Sequence, residues 1–305
     1  MASEPREYVF GARDRVDEAF DTARSVRDGR WLYIRNYRPE LSWAQPEGYS
    51  DQSDFRRELI HLAREGKLGP APMTYLAPTR QREELYDTLA DPHQLVNFAA
   101  QPEHFTTLQR LRARLRDWLL ESRDLGFLPE ADMLARAGMA TPYEMARRND
   151  GYPFDRVLAA AELVGSRDAI GEQRRLLADS DSGVRYWAAV GLRAAGGEAR
   201  AAQDDLQRAL SDSASAVRVE AAGALALLTS DGTPAALDVL ATALGSADWN
   251  ESLHAARTLQ RLGAAAKPAF PAMRARLNQA REQEGKETHA LFIRFALEGA
   301  LLPGE

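Results

Sequence analysis

The chain has 305 residues, 45% of them hydrophobic and 28% charged, with a formal net charge of −6 at pH 7. That apolar content offsets the entropy of ordering one or two domains, which excludes a disordered chain, and the mildly acidic balance argues against nucleic acid as a partner. Cys is absent, so disulfides, thiolate metal sites and cysteine nucleophiles are excluded together.

No apolar run approaches the ~18 residues a bilayer span needs, and Met1 leads into Ala2-Ser3-Glu4-Pro5-Arg6-Glu7, which has no signal-peptide core. No membrane partner is expected, and the compartment stays open. Up to about residue 150 the text is heterogeneous, with aromatics, prolines and strand-like alternation, whereas beyond it the chain turns Ala- and Leu-rich. The seam falls between Gly138 and Pro153, where Asn149-Asp150-Gly151 followed by Pro153 is turn chemistry. The expected division is an α+β subdomain over 1–137, a linker over 138–151 and an all-α repeat domain over 152–305.

In chain order, Tyr8-Val9-Phe10-Gly11 reads as a short buried strand. Phe20 to Arg27 and Arg30 to Tyr37 flank Asp28-Gly29, a two-residue hairpin turn. On the second arm Trp31, Tyr33, Arg35 and Tyr37 share one face. Asp54 caps a predicted helix to about Gly66, with Phe55, Leu59, Ile60, Leu62 and Ala63 as its apolar stripe. Glu84 to Asp87 reads as a strand running into the turn Asp91-Pro92-His93. Pro102 opens a long helix to about Ser122, with Phe105, Leu108, Leu111, Leu115, Trp118 and Leu119 on one face. This half is α+β: a small antiparallel sheet with packed helices.

The second half repeats. Leu177 to Leu192, with Val184-Arg185 and Ala188-Ala189, is echoed by Leu210 to Leu225, with Val217-Arg218 and Ala221-Ala222. A third copy runs from Leu244 to Leu259, so the Ala-Ala pairs step by 33 and then 34 residues. Such a period describes a two-helix unit that buries its apolar face only by stacking on its neighbours. A leucine, an Asp-rich turn, then Val-Arg-x-x-Ala-Ala-x-x-Leu resembles the HEAT repeat in its short bacterial variety, over roughly residues 152–302. The third copy departs from the pattern, with Glu251-Ser252 where Val-Arg would fall. The resemblance implies an interaction surface or an internal packing block, so a protein partner on the repeats is an expectation.

None of the five histidines (His61, His93, His104, His254, His289) stands at metal-pair spacing from another, and Gly196-Gly197 is a helix end, not a phosphate cradle. One loop stands out. Arg13-Asp14-Arg15, directly after the first predicted strand, sets two guanidinium forks among carboxylates, chemistry that grips sulfate, phosphate or carboxylate. An ion-pair loop satisfied within the chain is the competing reading.

Tyr8 to Glu18, Arg24 to Tyr37 and above all Glu84-Leu85-Tyr86-Asp87-Thr88-Leu89-Ala90-Asp91-Pro92-His93-Gln94-Leu95-Val96-Asn97-Phe98 resemble the carboxyl-terminal part of type I sulfatases, closest to the heparan N-sulfatase-like branch. The last string follows the signature E-L-Y-D-x-x-x-D-P-x-E-x-x-N-L, with Gln94 for Glu and Phe98 for Leu. The likeness covers about residues 5–135. It implies a small sheet in which Leu85 is buried, Tyr86 packs and hydrogen-bonds, Asp91-Pro92 turns the chain and Asn97 caps.

By the same resemblance, hydrolysis of a sulfuric ester or sulfamate needs formylglycine, made from Cys or Ser in Cys/Ser-x-Pro-x-Arg, and a Ca²⁺ held by Asp and Asn. Neither is expected on this chain: Ser3-Glu4-Pro5-Arg6-Glu7 lacks Arg at the fifth position. The expectation is the carboxyl-terminal portion of a sulfatase-like hydrolase, inactive alone, whose partner is an amino-terminal catalytic domain. Arg13, Asp14 and Arg15 then face the substrate's sugar, although the family commonly has His where Ala12 stands. Loss of that domain would expose apolar surface along the first strands. The alternative is a non-catalytic interaction scaffold built on the repeats.

Overall fold

The computed structural model describes residues 6–148, 151–228 and 233–301, so Asn149-Asp150 of the predicted seam turn and Ser3 to Pro5 lie outside it. The chain opens with β1 (Val9–Arg13), β2 (Ala23–Arg27) and β3 (Trp31–Asn36). An excursion with α1 (Asp54–Arg64) and α2 (Pro70–Leu76) precedes β4 (Glu83–Asp87). The four strands form an antiparallel meander in the order β1-β2-β3-β4. Alternation turns Val26, Tyr33 and Leu85 to one face, where α3 (Phe105–Ser122) covers them with Leu108, Leu111, Leu115 and Leu119.

Three local features differ from the sequence reading. The β2–β3 register pairs Arg27 with Leu32, and Asp28 N–H donates to Trp31 O at 3.1 Å, so the turn residues are Gly29-Arg30 rather than Asp28-Gly29. The Asp28 carboxylate causes the shift: Oδ1 accepts from Arg30 N at 2.8 Å and Trp31 N at 2.6 Å, as an Asx residue does at the first turn position. Helix α1 is capped by Ser53, whose hydroxyl accepts from Arg56 N, and none of its residues is buried; Phe55 is 73% exposed. Its stripe packs on α2, outside the sheet's core. At the start of α3, Phe105 is 53% exposed, and inward contacts begin only at Leu108.

Next come α4 (Glu130–Ala137), α5 (Pro142–Arg147), α6 (Phe154–Glu162), α7 (Ile170–Leu176), α8 (Ser182–Ala195) and α9 (Gln203–Ala209). The chain closes with α10 (Ser215–Leu227), α11 (Pro234–Leu244), α12 (Trp249–Leu262), α13 (Phe270–Gln283) and α14 (Ala290–Leu301). A four-stranded sheet is thus followed by a region of 12 helices, α3–α14, among the described residues. Helices α8, α10 and α12 lie side by side, each packed on the shorter helix that precedes it. The alanine pairs at 188/189, 221/222 and 255/256 are fully buried between them. A Cβ on Gly223 of α10 would come within 2.8 Å of Thr258 on α12, a measure of how closely these helices approach.

The Val-Arg positions have a clear task. Arg185 forks onto Asp212 at 2.6 and 2.8 Å and donates to Asp179 O, while Arg218 reaches Glu251 at 2.8 Å and donates to Asp212 O. Each arginine ties its unit to an acid of the next, and Glu251, where the third copy departs from the pattern, is the acceptor for the second copy's arginine. Asp181 and Asp248 cap α8 and α12, accepting from Gly183 N and Asn250 N.

The sheet and the first helices share one core. Val26, Tyr33 and Leu85 belong to the same buried cluster as Met145 of α5, Val157 of α6, Trp187 of α8 and Val217 of α10. Trp187 donates its indole N–H to Phe127 O at 2.8 Å and packs against Tyr37 and Phe127. A second cluster runs through the remaining helices to Leu297.

Candidate functional site

Strand β1 ends at Arg13, and the chain reverses through a loop closed by paired bonds between Val16 and Ala19, with Asp17 at φ +51°. Arg13 Nε lies 3.1 Å from Asp21 Oδ2, and its guanidinium stands over Trp43. Asp14 accepts from Arg24 Nη2 at 2.9 Å. Arg15 forks onto Glu130 at 2.9 and 3.1 Å, donates to Asp17 O and stands over Trp249. The three predicted site residues are therefore brought together on one loop, each with a charge partner inside the chain. Arg13 and Asp14 keep about two-fifths of their side-chain surface open to solvent.

The anchor of this loop is Arg24, which sequence reasoning passed over. Its guanidinium is fully buried, donating to Asp124 at 2.6 and 3.1 Å on one side and to Asp14 on the other, and these carboxylates hold its proton more tightly than usual. Gly126 leaves the room: a Cβ there would fall 2.1 Å from Arg24 Nη2. Burial pushes the Asp14 carboxyl above the ordinary range while Arg24 opposes the shift. One signal was available, because period-2 alternation puts Arg24 on the same face as buried Val26. A cavity of about 220 Å³ lies behind the loop, lined by Asp14, Arg15, Asp21, Glu130, Trp187 and His254 among others. The arrangement can bind and orient; it contains no activated nucleophile.

The Glu84–Phe98 string is built for structure. Asn97 Oδ1 accepts from Leu85 N at 2.9 Å, its Nδ2 donates to Glu83 O at 3.1 Å, and Phe98 N–H donates to Leu85 O at 2.8 Å. These bonds cover the free edge of β4, which would otherwise present unpaired backbone groups. Tyr86 donates its hydroxyl to Glu84, which also accepts from Asn36 Nδ2, each at 2.7 Å. Asp91 accepts from Leu95 N and Val96 N, closing the turn. Asp87 accepts from Arg30, which holds its carboxyl down at about 2.

The chain does not fit the groups that the sulfatase resemblance implies. It has no Cys, and Ser3-Glu4-Pro5-Arg6-Glu7 fails the precursor pattern. Among the described residues no group of three or more His, Cys, Asp or Glu side chains is placed to hold a metal ion. No described helix is long and apolar enough to cross a membrane.

No family model matches the chain. Among curated proteins, an ulvan-active sulfatase of Formosa agariphila is 40% identical over 129 residues, 42% of this chain and 22% of that protein. The likeness supports a sulfatase-family relationship for this stretch. The aligned stretch spans about a fifth of the relative's length.

Proposed function

We propose that this chain is the carboxyl-terminal portion of a sulfatase-like hydrolase of the heparan N-sulfatase-like branch, extended by HEAT-type repeats and inactive on sulfuric esters or sulfamates by itself. The observation that carries the reading is the 40% identity to a sulfatase over 129 residues, joined to a signature string in which Glu84, Tyr86 and Asn97 brace the sheet and Asp91 closes the turn. In this reading residues 1–137 form the sulfatase-like unit, 138–151 join it to the repeats of 152–305, and formylglycine and Ca²⁺ belong to a separate catalytic domain. Arg13, Asp14 and Arg15 line the side of the substrate's sugar, with Arg13 and Asp14 the members open to solvent. The test has two arms. The purified chain, given 4-nitrocatechol sulfate and Ca²⁺, releases no product above background, and the genomic frame upstream of Met1 carries Cys/Ser-x-Pro-x-Arg. Turnover by the chain alone, or a stop codon close upstream, overturns the reading.

A second reading, a non-catalytic scaffold that binds a protein partner, is favoured by one specific observation. Helices α1 and α2 bury none of their residues, and Phe55, Met73 and Tyr75 stand exposed on this hairpin. Patches of this kind mark interaction surfaces. A stop codon upstream together with stoichiometric co-purification of one protein would favour it.

A further inference from the structure

A second cavity, of about 320 Å³, opens where the segment after β3 meets α8, α10 and α12. Three arginines line it: Arg193 from α8, and Arg257 and Arg261 one turn apart on α12. Arg193 and Arg257 are 96–98% buried, and the Nε of each is a buried donor without an acceptor. Arg257 has no carboxylate partner within ion-pair distance among the described residues. It donates instead to the neutral amides of Gln45, at 3.2 Å, and Gln260.

The guanidiniums around the cavity outnumber the carboxylates bonded to them. Glu220 serves Arg193 at 2.9 Å and Arg38 at 3.3 Å and also meets His254 Nε2 at 3.0 Å. Glu40 serves Arg38 at 2.7 Å and reaches Arg261 at only 3.5 Å. Arg38, Arg193 and Arg261 thus share two carboxylates, and the acids around Arg257, which are Glu18, Asp51 and Glu47, lie beyond ion-pair distance. Glu18, the first of these acids, is itself held up at about 7 by burial. Burial brings Arg257 down to about 10 against the pull of Glu18, Asp51 and Glu47, and burial together with Arg193 and Arg38 brings Arg261 well below the guanidinium range. Uncompensated buried charge is costly, and natural sites retain it where a counter-charge arrives from outside.

We propose that this cavity is a binding site for a compact oxyanion, a sulfate, phosphate or carboxylate group, gripped by Arg257 and Arg261 with Arg193 behind them. Guanidinium forks with free N–H donors suit such groups, and Leu41, Pro46, Pro78 and Leu227 at the wall leave room for an organic body attached to the anion. The site lies between the segment after β3 and helices α8, α10 and α12 and does not depend on the sulfatase reading.

Isothermal titration calorimetry of the whole chain at pH 7 tests it, with sodium sulfate and sodium acetate against sodium chloride at matched ionic strength. One-site saturable binding of sulfate or acetate is expected. Arg261→Gln, at the rim, leaves the Arg38–Glu220 pairing in place and should weaken binding about tenfold or more, while Arg167→Gln, outside the cavity, should not change it. Glucose 6-sulfate binding more tightly than inorganic sulfate identifies an organic ester as the source, and equal binding identifies the free ion. Heats no larger than those of chloride for both anions, or undiminished affinity in Arg261→Gln, overturn the proposal.

Discussion

Glu18 shows how one side chain sets the pH response of this fold. It is buried, with Oε1 accepting from Gly48 N at 2.5 Å and Oε2 lacking a partner. Burial raises its carboxyl from the ordinary 4.5 to about 7, against the pull of the Gly48 N–H and Arg257 and with help from Glu47. Between those two values the folded chain binds more protons than the unfolded one, so this group's contribution to stability falls as pH rises from about 4.5 to 7. The difference amounts to about 3 kcal/mol at full deprotonation. Glu18→Gln keeps the shape, accepts from Gly48 and does not titrate. Thermal unfolding from pH 5 to 8 should therefore show the variant gaining on the parent as pH rises; parallel curves would refute the assignment. The pairings of Arg38 and Arg193 act in the opposite sense: against the cost of burial these arginines hold Glu220 well below the usual range, and Arg38 holds Glu40 down as well.

At the scale of elements, the Asn97 side chain acts as an extra strand residue against the edge of β4. Asn97→Ala removes the acceptor for Leu85 N and Ala99 N and the donor to Glu83 O. An unsatisfied backbone group and lost bonds together cost about 1–3 kcal/mol, readable as a lower urea midpoint at unchanged slope. Helix α1 is the contrast. Phe55→Glu replaces an exposed ring and should shift stability by no more than about 0.5 kcal/mol in the same titration, although periodicity alone marks Phe55 as a core residue. That contrast explains what the sequence could and could not reveal. β3, β4 and α3 were legible because alternation and i, i+3, i+4 spacing report directly which residues share a face, whereas β1, an apolar run expected to be buried, buries none of its residues and leaves Val9 half exposed. What covers a face is a tertiary fact, and α1, packed on α2 and on the turn at Ser50–Gln52, buries none of its residues. The loop at Arg13–Arg15 was legible as a charge cluster, but Glu130, which holds Arg15, lies 115 residues away, and Asp124, which holds the anchor Arg24, lies 100 residues from it. The buried arginines of α8 and α12 hide in the same way, since an arginine in an amphipathic helix reads as solvent-facing until its neighbours are placed.

At the scale of the molecule, two sequence grammars meet in one core. The sheet's Tyr33, Tyr37 and Leu85 and the helical Val157, Trp187 and Val217 are members of a single buried cluster, and Arg38, from the segment after β3, pairs with Glu220 on α10. The sheet has no core apart from this shared cluster, so its unfolding should be coupled to that of the helices. Trp187 is the centre of that coupling: buried, wedged among Tyr37, Phe127 and Tyr186, and bonded through its indole to Phe127 O. Trp187→Ala leaves a large cavity and an unpaired carbonyl, a loss of about 3–5 kcal/mol. If the halves form one cooperative unit, urea unfolding of the parent followed by far-ultraviolet circular dichroism and by tryptophan fluorescence gives coincident transitions. The variant then moves both together to a lower midpoint. Two separated transitions in the parent, or a variant in which only one signal moves, would mean that the halves unfold independently and that the shared aromatic cluster contributes little to holding them together.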